Sequence, residues 1–483
     1  MRLNFSHGSY EYHAGSIANL RGIMEGSKRA CSIMLDTKGP EIRSGKVKGG
    51  SVNLKQGQKV VLTWDEKLKD VEYDGSDGGK LYHDYTRITD SLVVGDFCLV
   101  DDGLIGLEVI AVEGNDLVTR WVVWDIIFRL HACSSLTTFP CRVRNDGELG
   151  NTKGCNLPGK PVYLPAVCEK DIQDIMFGVQ QGVDFIALSF VRTAADVALI
   201  KELLAEQGAP QIQVISKIES QQGLDNFDEI LDVSDGIMVA RGDLGVEIPL
   251  PKVFLAQKMM LEKCNAAGKI IIVATQMLET MIKNPRPTRA EVTDVANAVC
   301  DGADCVMLSG ETAKGAWPFE CVTMMNNICI EAESSLNYRG LFKKQVYHTK
   351  SLEAPLSIQE SVCSSAVKTS LDLKCKLIVT FSDTGRTARC ISKYHPAAPV
   401  IVITSNEQVA RQCCLKRGLF PKIVPRMDSS DPMAHYKVIR SYIDKLLQQK
   451  TKVNLQKGDP IICIYSSQVG VSGSTNMMHV IEA

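Results

Sequence analysis

The sequence predicts an α/β protein of several domains, and three observations carry that prediction. Short apolar runs stop abruptly in charged or hydroxyl residues, as Ile237–Ala240 does at Arg241, Gly242 and Asp243. Runs of this length suit strands buried on both faces, the texture of parallel sheets. After Pro165 such runs alternate with helical stretches, and strand–helix units with right-handed crossovers build parallel sheets, closed or open. The tail, Ser357–Ala483, repeats the alternation at a size that suits a separate open α/β domain.

In chain order, the polar cluster Arg2-Leu3-Asn4-Phe5-Ser6-His7-Gly8 comes first. A helix is expected from Tyr10 to about Glu25, with Ile17, Leu20 and Met24 at helical spacing, and a buried strand over Ala30–Leu35 ends in Asp36-Thr37-Lys38-Gly39-Pro40-Glu41-Ile42-Arg43. From Ile42 to Pro165 short alternating segments such as Ser51–Leu54 and Lys59–Thr63 predict a small, mainly antiparallel β-domain. Trp121–Cys141 is too bulky and apolar for that texture, and Asn145–Gly159, carrying Lys153, reads as a polar loop. Strands are then expected at Phe185–Phe190, Gln213–Ile218, Gly236–Ala240, Ile270–Ala274 and Cys305–Leu308, with helices such as Ala194–Glu206, Pro251–Ala267 and Thr288–Cys300. Tyr338–Pro355 turns polar and reads as a loop at a domain boundary, and the tail strands fall at Leu377–Phe381, Val400–Thr404 and Pro460–Tyr465.

Composition narrows the function classes. The 483 residues exceed a single ordinary core, and 45% hydrophobic with 23% charged residues is the balance of a soluble globular protein. A net charge of −2 argues against a general nucleic-acid binder, and no apolar run reaches transmembrane length. Seventeen cysteines without a CxxC pair, several inside apolar runs, read as buried thiols of a reducing cytoplasm.

Chemistry concentrates at strand ends. Ser216-Lys217-Ile218-Glu219 closes one strand and Arg241-Gly242-Asp243 the next, so Glu219 and Asp243 can converge on one divalent cation whose other ligands are water and substrate oxygens. Lys217 then offers a point charge to a phosphoryl group; the competing reading is a structural ion pair with a neighbouring carboxylate. The Gly242 and Asp243 amides suit a carboxylate. Ala274-Thr275-Gln276-Met277 and Leu308-Ser309-Gly310-Glu311-Thr312 end two more strands in hydroxyls and an acid, where a lone threonine would more often be a helix cap. Asn4, Ser6, Asp36 and Thr37 offer oxygen ligands with one negative charge, suiting a monovalent cation or simple loop hydrogen bonding. In the tail, Ser382-Asp383-Thr384-Gly385-Arg386-Thr387 is either a phosphate cradle or an ordinary helix start.

Ile212-Gln213-Val214-Ile215-Ser216-Lys217-Ile218-Glu219-Ser220-Gln221-Gln222-Gly223-Leu224, with Asn4–Gly8, Asp36–Arg43 and Asn284-Pro285-Arg286-Pro287-Thr288-Arg289-Ala290-Glu291, closely resembles the pyruvate kinase family, from Arg2 to the end apart from one segment. The resemblance implies a (β/α)8 TIM-type barrel from 1–41 and 165–337, an inserted small β-barrel lid over 42–164 and a C-terminal open α/β regulatory domain over 338–483. It implies transfer of a phosphoryl group from phosphoenolpyruvate to ADP, giving pyruvate and ATP in the last step of glycolysis. Arg2 and Lys217 then contact the transferred phosphate, with Lys217 stabilising the transition state. Glu219 and Asp243 hold Mg²⁺ (or Mn²⁺), and Gly242, Asp243 and Thr275 receive the substrate carboxylate. Asn4, Ser6, Asp36 and Thr37 match the K⁺ ligands, and Glu41 is the acidic variant that goes with K⁺ dependence. Asn4, His7, Arg43 and Lys153 match nucleotide-side positions, and Thr275, Ser309 and Glu311 line the route by which the enolate is protonated. A cytoplasmic homotetramer is the family's habit, as is a sugar-phosphate effector at Ser382, Thr384, Gly385, Arg386 and Thr387 closed by Gly470–Thr475.

Two departures accompany the resemblance. Family members have a first barrel strand and helix, and most of a second strand, before the position of Arg2, so the expectation is a barrel lacking its first strands, with an open seam. Trp121–Cys141 has no family counterpart, and both departures read as incomplete or mis-assembled sequence. The alternatives are a truncated, catalytically impaired homologue and a barrel lyase acting on phosphoenolpyruvate or a keto acid. Pyruvate formation tested for Mg²⁺, K⁺ and ADP dependence separates them.

Overall fold

The computed structural model describes residues 1–27, 29–101, 103–112, 138–350, 355–425, 434–448, 454–466 and 475–483. Its largest parallel sheet has seven strands in the order Arg2–Asn4, Met34–Asp36, Phe185–Leu188, Gln213–Ile218, Gly236–Ala240, Ile270–Ala274 and Cys305–Val306. Spatial order follows chain order, as repeated right-handed crossovers require. The runs Phe-Ile-Ala-Leu, Gly-Ile-Met-Val-Ala and Ile-Ile-Ile-Val-Ala are buried throughout, because both faces of these strands are covered. Ile186, Leu188, Val214, Ile237, Val239, Ile271 and Val273 face the helices, whereas Met34, Phe185, Ala187, Ile215, Met238, Ile270 and Ile272 form a separate cluster on the other face. The sheet is a barrel wall that remains open: among the described residues the outer strands Arg2–Asn4 and Cys305–Val306 do not pair with each other.

Residues after Ile42 build a second seven-stranded sheet, antiparallel except where Lys59–Thr63 runs parallel to Gly79–Tyr82. A bridge from Ser44 to His83 joins its two outer strands, so this sheet closes into a small barrel around Val60, Leu62, Leu81, Val100, Leu107 and Val143. Asn145–Gly159 is more than the expected loop. Gly147–Gly150 pairs with Ser51–Leu54, and Gly154–Asn156 is inserted between Ile42–Arg43 and Phe97–Val100. Glycine-rich strands this short have no periodicity to read; pairing partners distant in sequence hold them. Residues 113–137, most of the atypical Trp121–Cys141 segment, lie outside the described residues, while Thr138–Val143 is a strand against Lys59–Thr63.

The tail sheet runs Leu419–Ile423, Val400–Thr404, Leu377–Phe381, Pro460–Ser466 and Thr475–Glu482, with the last strand antiparallel. Alternate residues serve two cores, Ile378, Val400 and Val402 on one face and Val379, Ile401 and Ile403 on the other. Tyr338–Lys350 is a helix rather than a loop. Its polar composition hides an apolar stripe, Tyr338, Phe342 and Val346 at four-residue spacing, which packs on the tail core. The buried pair Lys416–Asp304, 2.7 Å apart, and Arg411 on Asp184 at 2.9 Å fasten the tail to the parallel sheet.

Candidate active site

Strand parity selects the side chains that meet. Ile215, Lys217 and Glu219 share a face, as do Met34 and Asp36, and Arg2 and Asn4 pair level with Met34 and Asp36 on the adjoining strand. Parallel neighbours at one level present the same face, so apolar layers give way to charge at the C-terminal end, the functional end of a barrel.

Lys217 is the centre. Its ammonium lies 2.9 Å from Glu219 Oε1 and 3.1 Å from Asp36 Oδ1, and it donates to Ser189 Oγ at 2.8 Å. Arg2 Nε donates to Asp36 Oδ2 at 2.7 Å. Asp36 and Glu219 are fully buried. Burial by itself would raise the Asp36 carboxyl, but Lys217 and Arg2 outweigh it and hold the group below the ordinary carboxylate value. Burial likewise works against the Lys217 charge, and Asp36, Glu219 and Asp243 together outweigh it and raise the lysine's pKa.

Glu219 differs. Burial pushes its carboxyl up to about 7, Lys217 pulls against that, and Asp243 adds to it. Asp243 therefore stands within electrostatic reach of both Glu219 and Lys217. Glu219 Oε2 accepts from the Phe190 amide at 2.6 Å, but Oε1 is buried without a hydrogen bond although the Lys217 ammonium is close. We read that contact as an ion pair lacking hydrogen-bond direction. Two neighbouring carboxylates, one with an unsatisfied buried oxygen, fit a divalent cation. Among the described residues no group of three or more His, Cys, Asp or Glu forms a metal cage, so the remaining ligands of such a cation come from elsewhere.

Strand Gly236–Ala240 passes directly into helix Arg241–Glu247. Arg241 is held by both Asp294 oxygens at 2.7 Å and donates to the Thr275 carbonyl at 2.7 Å, so it organises the loop. Thr275 has φ +75°, a left-handed backbone that a β-branched residue seldom adopts. A Cβ on Gly242 would stand 2.8 Å from Thr275 Cγ2, so only glycine allows this approach. Buried Glu311 commits one oxygen to the Leu278 amide at 3.1 Å and the other to the Ser309 amide at 2.7 Å. It ties two strand-end loops together.

Asn4 Oδ1 accepts from the Ser6 amide at 3.2 Å, and Thr37 accepts twice from Ser189, through its carbonyl at 2.6 Å and its hydroxyl at 3.1 Å. With Asp36 these make one oxygen-only corner, the donor set that suits K⁺. Beside it a cavity of about 660 Å³ is lined by His7, Arg43, Lys153, Asp243, Glu247 and Lys314 among others. Lys153 is paired with Asp101 at 2.9 Å and Arg43 with Glu41. Asn4 is not among the described lining residues.

The family model for the pyruvate kinase barrel domain matches residues 1–124 and 123–322, and that for the pyruvate kinase alpha/beta domain matches 360–481. The chain belongs to the pyruvate kinase family. It is 47% identical to a pyruvate kinase of Dictyostelium discoideum over 99% of this chain and 88% of that protein. A Bacillus licheniformis pyruvate kinase is 43% identical over 99% of this chain and 75% of its own length. A Candida albicans pyruvate kinase is 42% identical over 100% of this chain and 90% of its own. Membership makes the chain a phosphotransferase and implies, in general terms, a divalent cation and potassium. Among the described residues no helix is long and apolar enough to cross a membrane.

The strand-end reading points to Lys217 and Glu219 but not to their supports. Ser189, the Phe190 amide and the cavity residues Glu247 and Lys314 were missed. Ser189 carried a usable signal, a hydroxyl directly after the apolar run Phe185–Leu188. In the tail, Ser382–Thr387 links strand Leu377–Phe381 to helix Arg386–Lys393, with Gly385 at φ +75°. Ser382 is buried, Thr384 and Arg386 are exposed, and Thr387 is committed to Gln359 at 2.9 Å and Thr475 at 2.7 Å. The expected closing loop, apart from Thr475, lies outside the described residues.

Proposed function

We propose that this chain transfers the phosphoryl group of phosphoenolpyruvate to ADP, giving pyruvate and ATP, with Mg²⁺ (or Mn²⁺) and K⁺. The carrying observation is the half-buried Lys217 ammonium, kept charged by Asp36 and Glu219 at the mouth of the parallel sheet. An oxygen of the ADP terminal phosphate attacks phosphorus, the bond to the enol oxygen breaks, and the enolate then gains a proton at its methylene carbon. Lys217 and Arg2 offset charge on the phosphoryl oxygens as that bond breaks. Glu219 and Asp243 are the residues that would hold the divalent ion, which supplies charge neutralisation when bound. The Gly242 and Asp243 amides and Thr275 orient the substrate carboxylate. Thr275 and Ser309 border the protonation route, with Glu311 fixing their loops. Asn4, Ser6, Asp36 and Thr37 hold K⁺, and Asn4, His7, Arg43 and Lys153 face the nucleotide, over which the small barrel closes and excludes water.

We further infer a cytoplasmic homotetramer and a sugar-phosphate effector at Ser382–Thr387. Unchanged phosphoenolpyruvate saturation on adding sugar bisphosphates counts against the effector site, and a monomer in sedimentation counts against the tetramer. The reaction itself is tested by omission: pyruvate should form only with ADP, a divalent cation and K⁺ all present. Pyruvate formed without ADP favours a lyase instead.

A further inference from the structure

We propose that Ser189 positions the Lys217 ammonium for phosphoryl transfer, an inference that rests on the role given to Lys217 above. The Lys217 ammonium is ion-paired with Glu219 Oε1 at 2.9 Å and Asp36 Oδ1 at 3.1 Å, and it donates a directed hydrogen bond to Ser189 Oγ at 2.8 Å. Two of these are carboxylates with other duties, since Asp36 is shared with Arg2 and Glu219 is a ligand for the divalent ion. Ser189 is the neutral partner. It fixes the direction of the ammonium without cancelling the charge that the transferring group needs.

The hydroxyl itself is locked. Ser189 Oγ donates its proton to the Thr37 carbonyl at 2.6 Å, which leaves its lone pairs for Lys217. The Ser189 amide donates to Thr37 Oγ1 at 3.1 Å, and the next amide, of Phe190, grips Glu219. Gly39, at φ +74°, leaves no slack, because a Cβ there would lie 2.7 Å from Ser189 Cβ. One dipeptide therefore sets both functional residues of strand Gln213–Ile218 and its exit. It also joins Lys217 to Thr37 in the oxygen-only corner.

The test separates phosphoryl transfer from a step that moves no phosphoryl group, the exchange of pyruvate methyl protons with solvent. In Ser189→Ala, kcat for transfer should fall roughly ten- to a hundred-fold, with the phosphoenolpyruvate KM and the methyl exchange rate each within about threefold of the parent. Ser189→Cys, a near-isosteric weak acceptor, should fall between the two, and it carries the test alone if the alanine variant does not fold. Equal loss of transfer and exchange in the folded variant means a merely structural role and overturns the proposal, as does unchanged kcat. Failure of the parent chain to form ATP contradicts the proposed function instead, so the two failures are distinguishable.

Discussion

Lys217 is the side chain on which most of the local electrostatics converge, and its removal acts twice. Lys217→Met should lower kcat by about a thousand-fold, the scale of losing one preorganised charge-stabilising donor. It also leaves Asp36 and Glu219 buried without their shared cation, at a cost of roughly 3–5 kcal/mol, which thermal unfolding should register. Gly242→Ala is expected to behave differently. The added methyl meets Thr275 Cγ2 and should displace the loop proposed to receive the substrate carboxylate, raising the phosphoenolpyruvate KM about tenfold or more while stability falls by about 1–3 kcal/mol. At this scale the sequence is readable where a polar or charged side chain ends an apolar run, as at Lys217, Asp243 and Thr275, which the structure places at or just beyond the ends of their strands. It was not readable where the residue type is ordinary, as with Ser189, whose meaning comes only from what Thr37 and Lys217 do around it.

Among the elements, helix Arg289–Cys300 supports the site from a distance. Thr288 caps it, with Glu291 completing a reciprocal capping box, and its Asp294 holds Arg241 against the strained Thr275 loop. Thr288→Ala should cost about 1 kcal/mol in unfolding with kcat nearly unchanged. Asp294→Ala should lower kcat as well, because Arg241 loses the two bonds that aim it at the Thr275 carbonyl. Equal effects of the two variants on kcat would contradict that division of labour. Elements were legible in proportion to their burial. Ile270–Ala274 is apolar throughout, so its bounds are plain in the sequence, whereas the helix Tyr338–Lys350 hides within the polar stretch Tyr338–Pro355 because its apolar stripe falls on every fourth residue. The pairs Gly147–Gly150 and Gly154–Asn156 carry almost no apolar signal, so nothing local distinguished them from a loop.

In the whole molecule, the small closed barrel has its own pH response. His83 is buried there, accepting from the Tyr85 amide at 3.3 Å, and burial pushes its pKa down from 6.5 to about 4. The unfolded chain therefore takes up a proton near pH 6.5 that the folded barrel refuses until about pH 4. The contribution is fully present above pH 6.5 and is lost as pH falls towards 4, by up to about 3 kcal/mol. Hydrogen-exchange protection of Lys59–Thr63 should drop across that window and should lose this slope in His83→Asn; pH-independent protection would contradict it. A β-α rhythm alone does not say whether the parallel sheet closes; the pyruvate kinase motifs supply the expectation of an open seam, and the sheet is open. The most direct test of the central claim is ³¹P NMR of the chain with phosphoenolpyruvate, ADP, Mg²⁺ and K⁺. Phosphorus should leave phosphoenolpyruvate and appear as the ATP γ-phosphate one-for-one with pyruvate, and Lys217→Met should slow the transfer about a thousand-fold. Phosphorus appearing as inorganic phosphate, or transfer as fast without Lys217 as with it, would contradict the account.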